Sequence, residues 1–304
     1  MGFLDKLKNK GREAEEKTAE PERKPQDLEG KWQPVYFMWL LFDREPQLPS
    51  PEAMQSALEK KYGPVDSLGT EESRAFAVPK YMAQFQDGQM PAQVVMFPPQ
   101  PFVQEELGVL ERSQLWNVPD GQELLSRATH KVLLSDMMAV MDYPKRCELL
   151  MDYMEAAVEL FPDCLGVWFP HAWKLFAADY IRNHTIPRED RFVCFGVNVR
   201  FFNIQDSRDK VVDSLGMYAV GLPDVQYHFR DLDPNAVVDH AYNLCSYLFA
   251  HNAPIKVGET VDGLRDGRLC REVQWRCQYE NALIAPKREL MDVCPGEYAA
   301  GGRG

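Results

Sequence analysis

The sequence predicts an α+β protein made of two ferredoxin-like α/β sandwich halves whose mainly antiparallel sheets pack together. Three observations predict this class. The chain has 304 residues, 45% of them hydrophobic, which is enough for one large or two ordinary cores. Its first half orders strands and helices as β-α-β-β-α-β, and its second half combines the same two kinds of element over a longer stretch.

Residues 32–142 form the predicted ferredoxin-like half. Residues 35–42 are a continuous apolar run, which is typical of a strand covered on both faces. Ser50 and Pro51 then supply an N-cap and a first-turn proline for a helix that Gly63 ends. The remaining predicted elements of this half are strands at 74–78, 92–97 and 131–138 and a helical region at 103–128 that is interrupted at 118–121.

Residues 143–295 form the predicted second half, also of α+β character. Its most regular helix covers 144–161, where apolar residues recur along one stripe and charged residues lie opposite. The other predicted elements are strands at 165–169, 195–201, 215–221, 225–229 and 273–279, a segment at 281–285 that pairs with the last of these, and helices at 173–181 and 234–250.

The two ends of the chain are predicted to lie outside the folded halves. Residues 1–31 join a short amphipathic start at Phe3, Leu4 and Leu7 to a mixed-charge stretch that has little to bury, so we expect a disordered arm. A helix that docks on a partner or on a membrane surface is the alternative for this start. Residues 296–304 are small and rich in glycine, which predicts a flexible tail.

Charge and cysteine content narrow the classes of function. The net charge of -12 makes the surface repulsive to phosphate backbones, which disfavours nucleic-acid binding and favours a basic protein partner. The seven cysteines are odd in number and include no Cys-x-x-Cys pair, which predicts free thiols in a cytoplasmic protein. No apolar run reaches the twenty or so residues that cross a bilayer, so we expect no transmembrane segment.

One stretch carries a family resemblance. Residues 216–226, with the sequence GMYAVGLPDVQ, are followed by 228–230, by Leu232-Asp233-Pro234 and by the helix that runs to Phe249. This pattern resembles the bacterial family known as the domain of unknown function numbered 4261. The upstream pieces at 91–93, 128–130 and 167–170 are similar to longer bacterial proteins that carry the domain. The family brings no established activity, so the resemblance implies a bacterial protein and no catalytic residues.

The helix predicted at 234–250 carries the candidate ligand-binding residues. His240, Asn243 and Tyr247 recur at three- and four-residue steps, with His251 following, on the side opposite the apolar stripe. Such a row can line a polar pocket, or it can be the wet face that any amphipathic helix needs. His240 and His251 are three turns apart, about 16 Å at the helical rise, which is too far to share one ion. The sequence therefore predicts no metal site.

The candidate catalytic residues are His130 and His171, with Asp136 and the cysteines Cys164 and Cys194. A cysteine becomes a nucleophile when a histidine within hydrogen-bond reach helps to form the thiolate. Both histidines lie at predicted strand ends, where active sites occur. The alternative is that each ring is a structural group satisfied by backbone carbonyls.

The common cofactor and enzyme motifs are missing from the sequence. It contains no G-x-x-x-x-G-K-[ST], G-x-G-x-x-G, H-E-x-x-H or G-x-S-x-G pattern, so we expect no cofactor. The favoured interpretation is a bacterial cytosolic protein that acts as a non-enzymatic protein-binding or accessory module, antitoxin-like in its acidic charge. The alternative is a small-molecule enzyme with a site between the two halves that uses His130 or His171 and a cysteine. The oligomeric state stays open.

Overall fold

The structure is a computed structural model that describes residues 35–69, 74–137 and 141–302. It contains two sheets, mainly antiparallel, with helices packed against them, which confirms the predicted α+β class. The predicted arm at residues 1–31 lies outside the described residues. Among the described residues, no helix combines the length and the apolar character needed to cross a bilayer.

The first sheet is built from the N-terminal part of the chain. Its strands are β1 (Phe37–Phe42), β2 (Asp66–Ser67), β3 (Arg74–Phe85), β4 (Gly88–Met96), β5 (Gln100–Pro101), β6 (His130–Asp136), β7 (Gly166–Phe169) and β8 (Lys174–Ala177). Seven of them are ordered β2-β3-β4-β6-β1-β7-β8, and β5 pairs with β6. Every pairing in this sheet is antiparallel.

The second sheet is built from the C-terminal part. Its strands are β9 (Asn198–Asn203), β10 (Lys210–Leu215), β11 (Val225–Phe229), β12 (Thr260–Arg265), β13 (Arg268–Asn281) and β14 (Glu289–Cys294). They are ordered β12-β13-β14-β11-β10-β9. The β11–β14 pair is parallel and the other pairs are antiparallel.

The helices are α1 (Pro51–Tyr62), α2 (Val109–Arg112), α3 (Gly121–Arg127), α4 (Tyr143–Leu160), α5 (Ala178–Asn183), α6 (Arg191–Gly196) and α7 (Pro234–Ala250). The helices predicted at 144–161 and 234–250 are confirmed as α4 and α7, with boundaries within one residue. The Ser50 side chain accepts a hydrogen bond from the Ala53 amide, and Pro51 begins α1, as the sequence predicts. Gly63 follows the helix with a φ of 77°, a conformation that favours glycine.

The strand order of the first half differs from the ferredoxin-like order. In a ferredoxin-like sheet the first strand lies between the third and the fourth. Here β6 lies between β4 and β1, so the four long strands are all antiparallel in the order β3-β4-β6-β1, with the first strand beside the last of the four. The element types are therefore as predicted, while the pairing partner of β4 is not.

A single cluster of buried apolar residues joins the two sheets. It runs from Met38 and Phe76 in the first sheet through α4 and α7 to Val293 in the second. The division proposed at residues 142 and 143 stays a prediction. The first sheet nevertheless takes strands from both sides of it, since β7 pairs with β1 and β8 pairs with β7.

Two sequence predictions of elements are wrong over most of their length. The helix predicted at 173–181 is helical only from Ala178 onward, in α5, because Trp173 has a φ of 51° and closes a tight turn, after which β8 pairs with β7. Residues 215–221 were expected to be a strand, but Gly216 and Gly221 have positive φ values of 135° and 79°. The chain between these glycines forms a short 3-10 turn at Met217–Val220.

Two further predictions need their boundaries changed. The strand expected at 195–201 begins only at Asn198, because α6 extends to Gly196 and its last carbonyls are bound by the buried Lys174 ammonium. Residues 281–285 mostly form the connection between β13 and β14. Arg288 and Arg200 hold that connection by donating to its carbonyl oxygens.

Candidate functional site

All three predicted ligand-binding residues line one cavity. It has a volume of about 370 Å³ and lies between α7 and the β12–β13 hairpin. His240, Asn243 and Tyr247 come from the helix, and Asp262 and Leu269 come from the hairpin. These three helix residues are therefore more than a solvent-exposed face, because they form one wall of a pocket within the size range of ligand sites.

His240 forms the polar base of this cavity. It is only 4% exposed, and its Nδ1 lies 2.8 Å from the Tyr227 hydroxyl while its Nε2 lies 2.7 Å from the Asp262 carbonyl oxygen. A carbonyl can only accept, so Nε2 carries the proton and Nδ1 accepts from Tyr227. Burial lowers the pKa of His240, and the Asp262 carbonyl and carboxylate only partly oppose this. The ring is therefore neutral and fully bonded.

The rim of the cavity is apolar and open to solvent. Tyr247 is 45% exposed and Leu269 is 57% exposed. The ring of His251 stacks on that of Tyr247 with centroids 4.5 Å apart, so this histidine supports the rim. A polar base under an apolar rim can bind a side chain that carries one polar group.

Local sequence signals build each wall. Asp233 caps α7 by accepting from the Asn235 amide, and Pro234 occupies the first turn, which fixes where the helix begins. Asp266 and Gly267 have φ values of 51° and 73° and connect β12 to β13 as a two-residue hairpin turn.

The structure does not bring His130 and His171 together. Phe42 of β1 pairs with His130, whereas the His171 ring contacts the backbone at Phe37, at the other end of the same strand. Five residues of strand correspond to roughly 17 Å. The two histidines therefore cannot serve one reacting centre.

Each of these histidines has its own local partners. The His171 Nε2 lies 3.0 Å from the Val35 carbonyl oxygen, and desolvation lowers the pKa of the ring. The His130 Nδ1 lies 3.0 Å from the Thr129 hydroxyl at the surface. Asp136 accepts two hydrogen bonds from Arg146, and both side chains are fully buried. This buried ion pair connects β6 to α4.

The candidate cysteines have the electrostatics of structural thiols. Burial raises the pKa of Cys164 to about 12, and its thiol donates to the Gly166 carbonyl. Burial also raises the pKa of Cys194, against the opposing effect of the Lys174 ammonium. Neither thiol is hydrogen-bonded to a histidine within the part of the chain that the structure describes. Their catalytic role stays a prediction, and all seven cysteines are free.

The cavity and its whole lining fall within one stretch of chain, from His240 to Leu269. Residues 213–294 match the family model named Domain of unknown function (DUF4261). The resemblance seen in the sequence is thereby confirmed for this segment. It contains β10 only from Asp213 onward, then β11 to β14, α7 and the complete cavity. No curated protein and no solved structure matches the chain.

Sequence reasoning missed the hairpin side of the cavity. Ile255, Val261, Asp262 and Leu269 line it from outside the helix. The Asp266-Gly267 dipeptide between two alternating segments is a strong hairpin signal that would have placed β12 beside β13. Which side of the hairpin faces α7 is decided by tertiary packing.

Proposed function

We propose that this chain is a non-enzymatic protein-binding module and that it holds an extended segment of a partner in the cavity between α7 and the β12–β13 hairpin. The observation that carries the proposal is the placement of the cavity. It lies wholly within the family-matched segment and opens between Tyr247 and Leu269, two exposed apolar side chains. Exposed apolar contacts of this kind mark interaction sites.

The edge of the second sheet supports the same proposal. β12 is the end strand of its sheet, and within the described ranges of the chain its one partner strand is β13. An edge strand beside a pocket is the arrangement used for strand addition, in which backbone pairing supplies affinity and a pocket selects a side chain. The setting we propose is the bacterial cytoplasm, and the net charge of -12 favours a basic partner.

The chemistry of the cavity supports binding over catalysis. Its histidine is neutral and has both nitrogens engaged, so it has no free nitrogen with which to accept a substrate proton. The enzyme alternative requires a histidine beside a cysteine thiolate. Among the described residues neither Cys164 nor Cys194 is hydrogen-bonded to a histidine, and the raised pKa values of both thiols also disfavour this alternative.

Site-specific photo-cross-linking in the cells that make the protein tests the proposal. A benzophenone amino acid at Leu269 should yield a discrete higher-mass adduct with a second protein. The matched control is the same residue at Val109, which is 79% exposed and lies in the first-sheet half. Equal adducts at both positions, or none at Leu269, would contradict partner binding here. A small-molecule enzyme would give no protein adduct at either position.

A further inference from the structure

A second cleft, separate from the hairpin cavity, lies where the two sheets' helices meet. It has a volume of about 480 Å³ and is enclosed by α4, by the segment 188–193 and by α7. Its floor is apolar, with Met151, Phe192 and Phe249. The rings of Phe192 and Phe249 stack with centroids 5.5 Å apart and an interplanar angle of 17°. This aromatic floor suits the flat or branched apolar body of a small molecule.

The charges around the cleft are unbalanced. The single cation that lines it, Arg188, is engaged: its Nη2 lies 2.5 Å from the Glu148 carboxylate and 2.6 Å from that of Asp152. Glu189 and Asp190 also line the cleft, and neither has an ion-pair partner within the described part of the chain. The carboxylates of Glu189 and Asp190 would therefore attract a cationic ligand in the cleft and repel an anionic one.

A polar group inside the cleft also lacks a partner. The Cys147 side chain lines the cleft and is 2% exposed, and its thiol makes no hydrogen bond to any described residue. Burial raises the pKa of Cys147 well above its usual value, so the group is a neutral thiol. A thiol is a weak donor and a weak acceptor, which tolerates an apolar ligand and can contact a polar atom on it.

We propose that this cleft binds a small organic ammonium ion with an apolar body. The body lies on Phe249, whose ring stacks on the buried Phe192, and the ammonium group lies toward Glu189 and Asp190. The site draws residues from α4 and α6 as well as α7, so it extends beyond the family-matched segment and does not depend on the partner-binding proposal.

Three probes of similar size distinguish the effect of ligand charge on affinity from the effect of ligand shape. The intact chain is titrated with 2-phenylethylammonium, with 2-phenylethanol and with phenylacetate, and binding is followed by ligand-observed NMR. We expect the ammonium probe to bind at least about fivefold more tightly than the alcohol, the size expected from two exposed carboxylates. We expect the anion to bind weakest. Equal binding of the three, tighter binding of the anion, or no binding up to about 10 mM would overturn the proposal.

Matched variants then locate the site. Glu189→Gln with Asp190→Asn should reduce the affinity for the ammonium probe to that for the alcohol. The control pair, Glu45→Gln with Glu105→Gln, removes the same charge from exposed positions in the first half and should leave affinity unchanged. Ser246→Phe fills the cleft and should abolish binding of every probe at an unchanged melting temperature. Retained binding in the filled variant, or an equal loss in the control pair, would show that the probes bind elsewhere.

Discussion

At the residue scale, His240 has the most clearly determined chemistry in the protein. Its Nδ1 accepts from the Tyr227 hydroxyl, so protonation of the ring would make this nitrogen a donor and would break the hydrogen bond that it now accepts. The ring also lies between Tyr227 and Trp275, with a centroid 4.9 Å from that of the tryptophan. Both the hydrogen bond and the burial favour the neutral form.

The first prediction concerns pH. Because the pKa of His240 in the folded state lies below the usual 6.5, the unfolded chain takes up this proton more readily. The contribution of His240 to stability is therefore complete above pH 6.5 and is lost as the pH falls through the folded-state value. Histidine NMR should show the Nε2-protonated tautomer and a lowered pKa. In Tyr227→Phe the pKa should move back up, and an unchanged value would contradict this assignment.

The second prediction separates the buried and exposed residues of α7. His240→Ala leaves the Tyr227 hydroxyl and the Asp262 carbonyl without their partner and should cost about 2–4 kcal/mol. Leu244 is buried, so Leu244→Ala should cost about 2–5 kcal/mol. Asn243→Ala is the control on the same helix and should stay within about 0.5 kcal/mol, because Asn243 is exposed. Urea unfolding measures all three, and a cost for His240→Ala as small as that for Asn243→Ala would place His240 at the surface.

At the element scale, the sequence could predict the long helices because their signals are local. α1 and α7 each combine a capping side chain, a first-turn proline and an apolar stripe. The elements missed or mistaken depend on the strands that lie beside them. β8 exists because β7 supplies an antiparallel neighbour, and β14 lies between β13 and β11. The residue pattern of one strand does not indicate which strands will pair with it.

The candidate site also has one part that the sequence could predict and one part that it could not. The helical wall was predictable, since spacing alone places His240, Asn243 and Tyr247 on one side of α7. The burial of His240 was not predictable, because it results from the hairpin that contributes Asp262. Packing against that hairpin buries His240, on an otherwise solvent-exposed side of α7, and makes it the base of a cavity.

The third prediction tests the turn that replaced an expected strand. Gly216 has a φ of 135°, and a Cβ there would lie 2.0 Å from the Gly196 carbonyl oxygen. Gly216→Ala should therefore destabilise the protein by about 3 kcal/mol or more. Gly63 also has a positive φ, but a Cβ there would meet nothing within 4 Å. Gly63→Ala should cost only about 1 kcal/mol. Chemical denaturation measures both, and similar costs would argue against the close approach at Gly196.

At the scale of the whole molecule, the shared core favours one cooperative unit. The Tyr143 hydroxyl of α4 donates to the Phe249 carbonyl of α7, and the buried Lys174 of β8 binds the end of α6. These bonds and the continuous apolar cluster join the first sheet to the second. Separate unfolding of the halves would expose that cluster to water.

The fourth prediction follows from this continuity. Trp168 lies in the first sheet and Trp275 in the second, and both are buried. With 5-fluorotryptophan incorporated, their native ¹⁹F signals should disappear at the same urea concentration. Trp168→Phe and Trp275→Phe assign the signals. Loss of one signal well before the other would contradict a single cooperative unit and would show that the two sheets unfold separately.

The parallel pairing of β11 with β14 has a consequence for how the protein is made. β11 leaves the ribosome before α7 and the β12–β13 hairpin, but one of its two neighbours is β14, which follows all of these elements in the chain. Until β14 arrives, the nascent chain presents one unpaired edge of β11. Contacts this distant in sequence form slowly, and such an edge is open to wrong pairing and aggregation. A chaperone that covers the growing chain would therefore protect this edge until β14 has been synthesised.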